Sequence, residues 1–130
     1  MMRRICYLTG TRADFGLMSS TLHAIAKDPR LDLKLLVTGM HLSPRYGQTV
    51  DEIEAEGFDI AARLPVALED SSAAGMAVNL GCMLQGFVPA LQTIEPDFLL
   101  LLGDRGEMLA GAIAAIHLGI PIAHLHGGER

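Results

Sequence analysis

Three short polar stretches of this 130-residue sequence carry residue types that can do chemistry: TGTRAD at 9–14, GDR at 103–105 and HLHGGE at 124–129. In the first, Gly10 permits a tight turn and lets a ligand approach the backbone. A helix starting just beyond it presents free amides, a seat for an anion. Arg12 adds a charged fork suited to phosphate, and Asp14 is the expected N-cap of the helix. The spacing is neither a dinucleotide GxGxxG nor a Walker loop, so it does not by itself indicate NAD or ATP. In the second stretch, an acid beside an arginine stays ionised unless buried, so Asp104 is a candidate base or sugar-hydroxyl orienter and Arg105 a candidate phosphate contact. The structural alternative is that Asp104 caps the helix that follows.

In the third stretch, His124 and His126 lie two apart on an extended chain and should point the same way. With Glu129 they resemble a His-x-His metal arrangement. No further ligand is evident, however, and proton transfer suits a His and Glu pair at a strand end better. His126 and Glu129 are therefore acid–base candidates, and no metal is expected. His23 and His117 fall on helices and read as structural or exposed, and His41 lies outside the three stretches.

These residues need elements to position them. Residues 4–9, 33–38, 97–102 and 121–125 are short apolar runs that read as strands, with 59–64 as a further one. Helical spacing covers 15–27, 49–56, 74–94 and 107–118, and Pro89 should kink or split the third helix. This alternation predicts a Rossmann-like α/β fold, a parallel sheet with helices on both faces and strand order 3-2-1-4-5. In that order the winding reverses between the first and fourth strands and opens a crevice at their C-terminal ends. TGTRAD and GDR empty into it.

Composition narrows the function classes. Half the residues are hydrophobic, none is Trp, and the core must be built from Leu, Ile, Val, Ala and Met. The net charge of −5 argues against a nucleic-acid or anionic-membrane surface as the main partner. Cys6 and Cys82 have no close spacing, so neither a zinc site nor a disulfide is expected and both read as small buried hydrophobes. The start, MMRRICYLTG, is too short an apolar stretch for a signal peptide, and the longest apolar run falls short of a membrane span, which suggests a cytoplasmic protein. The acidic stretch DEIEAE at 51–56 reads as a solvated helix face, and the methionines, among them Met18, Met76, Met83 and Met108, as core filler.

Taken together, TGTRADFG, VTGMHLSPRYGQTVDEIEAEGF and LLGDRGE…IPIAHLHGGER resemble the hydrolysing UDP-N-acetylglucosamine 2-epimerases of sialic and related nonulosonic acid synthesis. The motifs run in that family's order and spacing over nearly the whole chain. The non-hydrolysing 2-epimerases favour a GTRPE-like first motif and an HVEAGLR-like last one. The resemblance implies a GT-B architecture, two Rossmann-like domains with the nucleotide sugar between them. This chain, 1–130, would be most of the N-terminal domain, without the C-terminal domain that supplies most uridine contacts.

The implied reaction removes the proton at sugar carbon 2 and expels UDP to give a 2-acetamidoglucal, which then takes up water. The implied substrate is UDP-N-acetylglucosamine or a 2,4-diacetamido-trideoxy analogue. No metal or nicotinamide cofactor is implied, and the full-length enzyme is expected to be a homo-oligomer. By matching position, Arg12 and Arg105 contact the diphosphate and Asp104 is one catalytic carboxylate, with Gly10 and Asp14 completing the substrate-binding set. Many relatives carry Glu where His126 stands, so the second acid–base role falls to His126 or to Glu129. A GT-B glycosyltransferase, or a non-catalytic nucleotide-binding or assembly domain, is the alternative reading.

Overall fold

Alternating side chains along the strands divide the interior into two cores, one on each face of a single sheet. The computed structural model describes residues 2–43, 49–65 and 72–126. The elements run β1 (Arg3–Thr9), α1 (Arg12–Lys27), β2 (Leu31–Thr38), a 3-10 turn (Gly39–Leu42), α2 (Val50–Ala55), β3 (Ile60–Leu64), α3 (Ala73–Ile94), β4 (Phe98–Leu102), α4 (Gly106–Leu118) and β5 (Ile122–Leu125). All strand pairs are parallel and the order is β3-β2-β1-β4-β5, as the alternation predicts.

The period of two sorts the buried residues. Cys6, Leu8, Leu36, Leu99 and Leu101 face α3 and α4, packing with Met83, Phe87, Leu91, Met108 and Ala114. Tyr7, Leu35, Val37, Leu100 and Leu102 face the other way, onto Phe15, Met18, Leu22 and Ile53 of α1 and α2. Helices thus cover both faces. The central strands read as unbroken apolar runs because neither face meets water.

Several details depart from expectation. α1 begins at Arg12 rather than 15, and its N-cap is Thr11. Pro89 does not split α3, which runs unbroken from Ala73 to Ile94. Phe87, Leu91 and Ile94 on either side of the proline hold both segments against the sheet. α3 carries no charged residue and, by length and composition alone, is apolar enough to cross a membrane. Here its inward stripe, Met83, Phe87, Leu91 and Ile94, is core, while Met76 and Val78 are exposed. Met76 is therefore not core filler.

Cys82 is also exposed, on the turn of α3 facing away from the sheet. Cys6 is fully buried, and that burial pushes its thiol pKa up to about 12. β5 is an edge strand whose residues Ala123–Leu125 are exposed, unlike the buried β4. On α2, the acidic residues face solvent as expected and only Val50 and Ile53 turn inward.

Candidate active site

The turn after β1 is built around a buried carboxylate. Asp14 occupies the third helical position of α1, where it completes a capping box: its carboxylate accepts from the Thr11 amide at 2.8 Å while its own amide donates to Thr11 Oγ1 at 3.1 Å. The same carboxylate accepts from the Gly10 amide (3.0 Å), Tyr7 Oη (3.0 Å) and Thr9 Oγ1 (2.5 Å). Burial, and then the adjacent Asp14 charge, push the Tyr7 phenol far above its ordinary pKa, so the tyrosine remains a donor. Asp14 therefore holds the turn, and the expected capping role passes to Thr11. Arg12, one residue into the helix, is largely exposed and pairs with Glu52 of α2 at 3.2 Å.

The turns after β4 and β5 are fastened to each other. The Gly103 amide donates to the Leu125 carbonyl at 2.9 Å. The Gly103 carbonyl lies 2.5 Å from His124 Nε2, and since a carbonyl only accepts, His124 carries its proton on Nε2. Gly103 has φ +82°, which turns the chain sharply at the strand end. The next residue along each segment from this fastening is a candidate, Asp104 on one side and His126 on the other. His126 has φ +55°, so the extended alternation ends there and no longer sets its ring parallel to that of His124. Glu129 lies outside the described residues.

Asp104 is exposed, and among the described residues no hydrogen bond or ion pair engages it. It does not cap α4, whose N-cap position is Arg105 and has no side-chain cap. Arg105 is half-exposed and donates from Nε to Glu107 Oε2 at 3.3 Å.

Two residues not singled out from the sequence belong to this end of the sheet. Glu107, on the first turn of α4, is 3% exposed and lies over the glycine turns. A Cβ on Gly10 would come within 3.2 Å of its Cδ, and one on Gly39 within 3.2 Å of its Oε1. His41, on the 3-10 turn, is fully buried, with Nε2 2.8 Å from Thr9 Oγ1 and Nδ1 2.6 Å from Thr49 Oγ1. Gly10 with an arginine two residues on gave a sequence signal for its turn, but a Glu inside a helical run and a His two residues past a glycine give none. Among the described residues, no cluster of His, Cys, Asp and Glu could hold a metal ion.

A parallel, doubly wound sheet with glycine turns, two arginines and an uncommitted carboxylate at its switch point has the form of a nucleotide-binding α/β domain. Comparison with known proteins agrees and narrows the class. The profile of the UDP-N-acetylglucosamine 2-epimerase family matches residues 23–130, and the chain belongs to that family.

It is 53% identical over 130 residues to the UDP-N,N'-diacetylbacillosamine 2-epimerase (hydrolyzing) of Legionella pneumophila, covering all of this chain and 34% of that one. It is 37% identical over 127 residues to the GDP/UDP-N,N'-diacetylbacillosamine 2-epimerase (hydrolyzing) of Campylobacter jejuni, covering 98% and 33%. The chain thus spans about a third of the length of these relatives. The Methanocaldococcus jannaschii UDP-GlcNAc 2-epimerase, solved in complex with UDP-GlcNAc and UDP, has the same fold over 98% of this chain and 33% of that one, with TM-score 0.81 and 24% identity.

Proposed function

We propose that this chain forms one wall of the active site of a hydrolysing UDP-sugar 2-epimerase of GT-B architecture. The observation that carries the reading is the state of Asp104. It is exposed at the switch-point crevice, with no hydrogen bond or ion pair among the described residues, and adjacent to Arg105. Through Gly103 it is fastened to the strand that delivers His126. A carboxylate left uncommitted in a turn with such tight fastenings is available to move a proton.

In this reading the sugar loses its C2 proton to the Asp104 site while the C1–O bond breaks and the electron pair leaves with UDP. A C1=C2 double bond forms. Arg12 and Arg105 stabilise the charge that grows on the departing diphosphate. Water then adds across the double bond, hydroxyl to C1 and proton to the opposite face of C2, releasing the 2-epimeric free sugar. Elimination and hydration move protons and no net electrons, so the scheme requires no redox cofactor.

Asp14 acts through the turn it holds, with Gly10 giving the backbone approach. The 53% identity to the Legionella protein favours UDP-N,N'-diacetylbacillosamine over UDP-N-acetylglucosamine as substrate. Self-association is part of the same proposal, supported by the apolar residues Met76, Val78, Leu109 and Ile116 that α3 and α4 expose.

The test is product analysis on the complete gene product with each of the two UDP-sugars. Free UDP and the 2-epimeric free sugar are expected, and Asp104→Asn should lower turnover by at least ~10²-fold with UDP affinity retained. Near-normal turnover in that variant removes Asp104 from the chemistry. Transfer of the intact sugar to an acceptor would make the protein a glycosyltransferase instead.

A further inference from the structure

We infer that Glu107 is a positioning residue for the diphosphate: it sets the pose of the Arg105 guanidinium before the ligand arrives. The inference rests on the function proposed above. A carboxylate that is 3% exposed is costly to bury and needs a partner. Among the described residues, Arg105 is the one side chain that supplies it, through Nε at 3.3 Å.

Glu107 occupies space that two glycine turns leave open. Its Cγ and Cδ lie 3.2 Å from where a Cβ on Gly10 would stand, and its Oε1 lies 3.2 Å from the corresponding point on Gly39. The Gly10 carbonyl in turn lies 2.9 Å from that same point on Gly39. Gly39 also has φ +65°, a conformation that L side chains rarely adopt. Both turns are thus free of side chains where Glu107 occupies the space, and a side chain at either position would crowd it.

The consequence lies in the donors Arg105 keeps. A guanidinium has five N–H groups in a fixed plane. Committing Nε–H to a fixed carboxylate leaves the four on Nη1 and Nη2, a complete fork for a phosphate group. An arginine free in solvent loses rotamer entropy when it binds such a group, and one tethered at Nε has lost part of it already. Glu107 also carries a negative charge that opposes an incoming diphosphate. Its tethering and its charge therefore act in opposite directions and can be separated by substitution.

The experiment is a double-mutant cycle on UDP affinity, measured by calorimetry on the complete gene product, with thermal unfolding to confirm that each variant is folded. Glu107→Ala removes the tether and should weaken UDP binding about 5- to 10-fold. Glu107→Gln keeps an acceptor and loses the charge, so its affinity should be equal to wild type or tighter. In an Arg105→Ala background, Glu107→Ala should have no further effect beyond about twofold, because the tether then has nothing to hold.

If Glu107→Ala does not fold, Glu107→Asp withdraws the carboxylate by one methylene and replaces it in the cycle. Equal losses from Glu107→Ala with and without Arg105, or an unchanged Kd in the single variant, overturn the inference and leave the proposed function standing. Wild-type protein that does not bind UDP at all overturns the proposed function, and this inference with it.

Discussion

Thr9 Oγ1 lies 2.8 Å from His41 Nε2, and because its hydroxyl hydrogen is given to Asp14 Oδ1 at 2.5 Å, it can only accept from the histidine. His41 is therefore protonated on Nε2, and in the neutral ring Nδ1 accepts from Thr49 Oγ1 at 2.6 Å. The chain Thr49–His41–Thr9–Asp14 joins the residue that opens α2 to the tip of β1 and the start of α1.

Burial lowers the His41 pKa below its ordinary value, against the smaller opposing pull of Asp14 and Glu52. Because the folded value lies below the unfolded one, the unfolded state binds the extra proton first. Stability should be complete above the ordinary imidazole pKa of about 6.5 and should fall as pH drops from there toward the folded value. Denaturant titrations between pH 5 and 8 should show this slope, at most about 1.4 kcal/mol per pH unit from one group. The His41→Asn variant should be less stable throughout and lack that component. An identical pH dependence in the two proteins would mean that another group carries it.

The Asp14 carboxylate accepts from Tyr7, Thr9, Gly10 and Thr11, all buried. Asp14→Ala would orphan several of these donors at once and should cost at least about 3 kcal/mol in unfolding free energy. Were Asp14 a direct substrate contact instead, the variant would lose UDP affinity with its stability kept. Calorimetric unfolding beside UDP titration separates the two.

The strand order and both layers were legible in the sequence because the central strands are covered on both faces and their apolar runs have no interruptions. Leu99–Leu102 shows this most plainly. The crevice followed from that order alone, and with it the positions of Arg12, Asp104 and Arg105. What the sequence did not display is burial of polar residues. Glu107 and His41 are ordinary in local pattern, and their environments arise only when turns after three different strands converge. The exposed Cys82 and Met76 mislead in the converse way: α3 is apolar all round, so its composition does not say which side meets the sheet.

Gly39 follows β2 with φ +65°, and a Cβ there would stand 2.9 Å from the Gly10 carbonyl. Backbone cannot yield as a flexible side chain does. Gly39→Ala should therefore destabilise the protein by about 2 kcal/mol or more, adding strained φ to steric overlap. At Gly57, also at positive φ (+84°), nothing lies within 4 Å of the added Cβ, and Gly57→Ala should cost only the conformational part, about 1 kcal/mol. Equal losses at the two positions would show that the contact with Gly10 contributes nothing.

In the proposed mechanism, one further choice is which residue partners Asp104. His126 follows Leu125, whose carbonyl accepts from the Gly103 amide, so His126 and Asp104 each directly follow a residue of that backbone pair. Its left-handed φ of +55° is unusual for a residue with a side chain, and such positions persist where the surrounding structure holds them. These features favour His126 as the partner, with Glu129 as the competing candidate. Single-turnover rates should then separate them: His126→Gln should slow elimination of UDP by at least ~10²-fold with UDP affinity kept, while Glu129→Gln stays within about tenfold of wild type. The variant His126→Gly relaxes the backbone as well as deleting the ring. If it is as slow as His126→Gln, the imidazole and not the turn is what the reaction needs. The reverse pattern, with Glu129→Gln slow and His126→Gln near normal, assigns the second proton transfer to Glu129 and leaves His126 a role in shaping the turn.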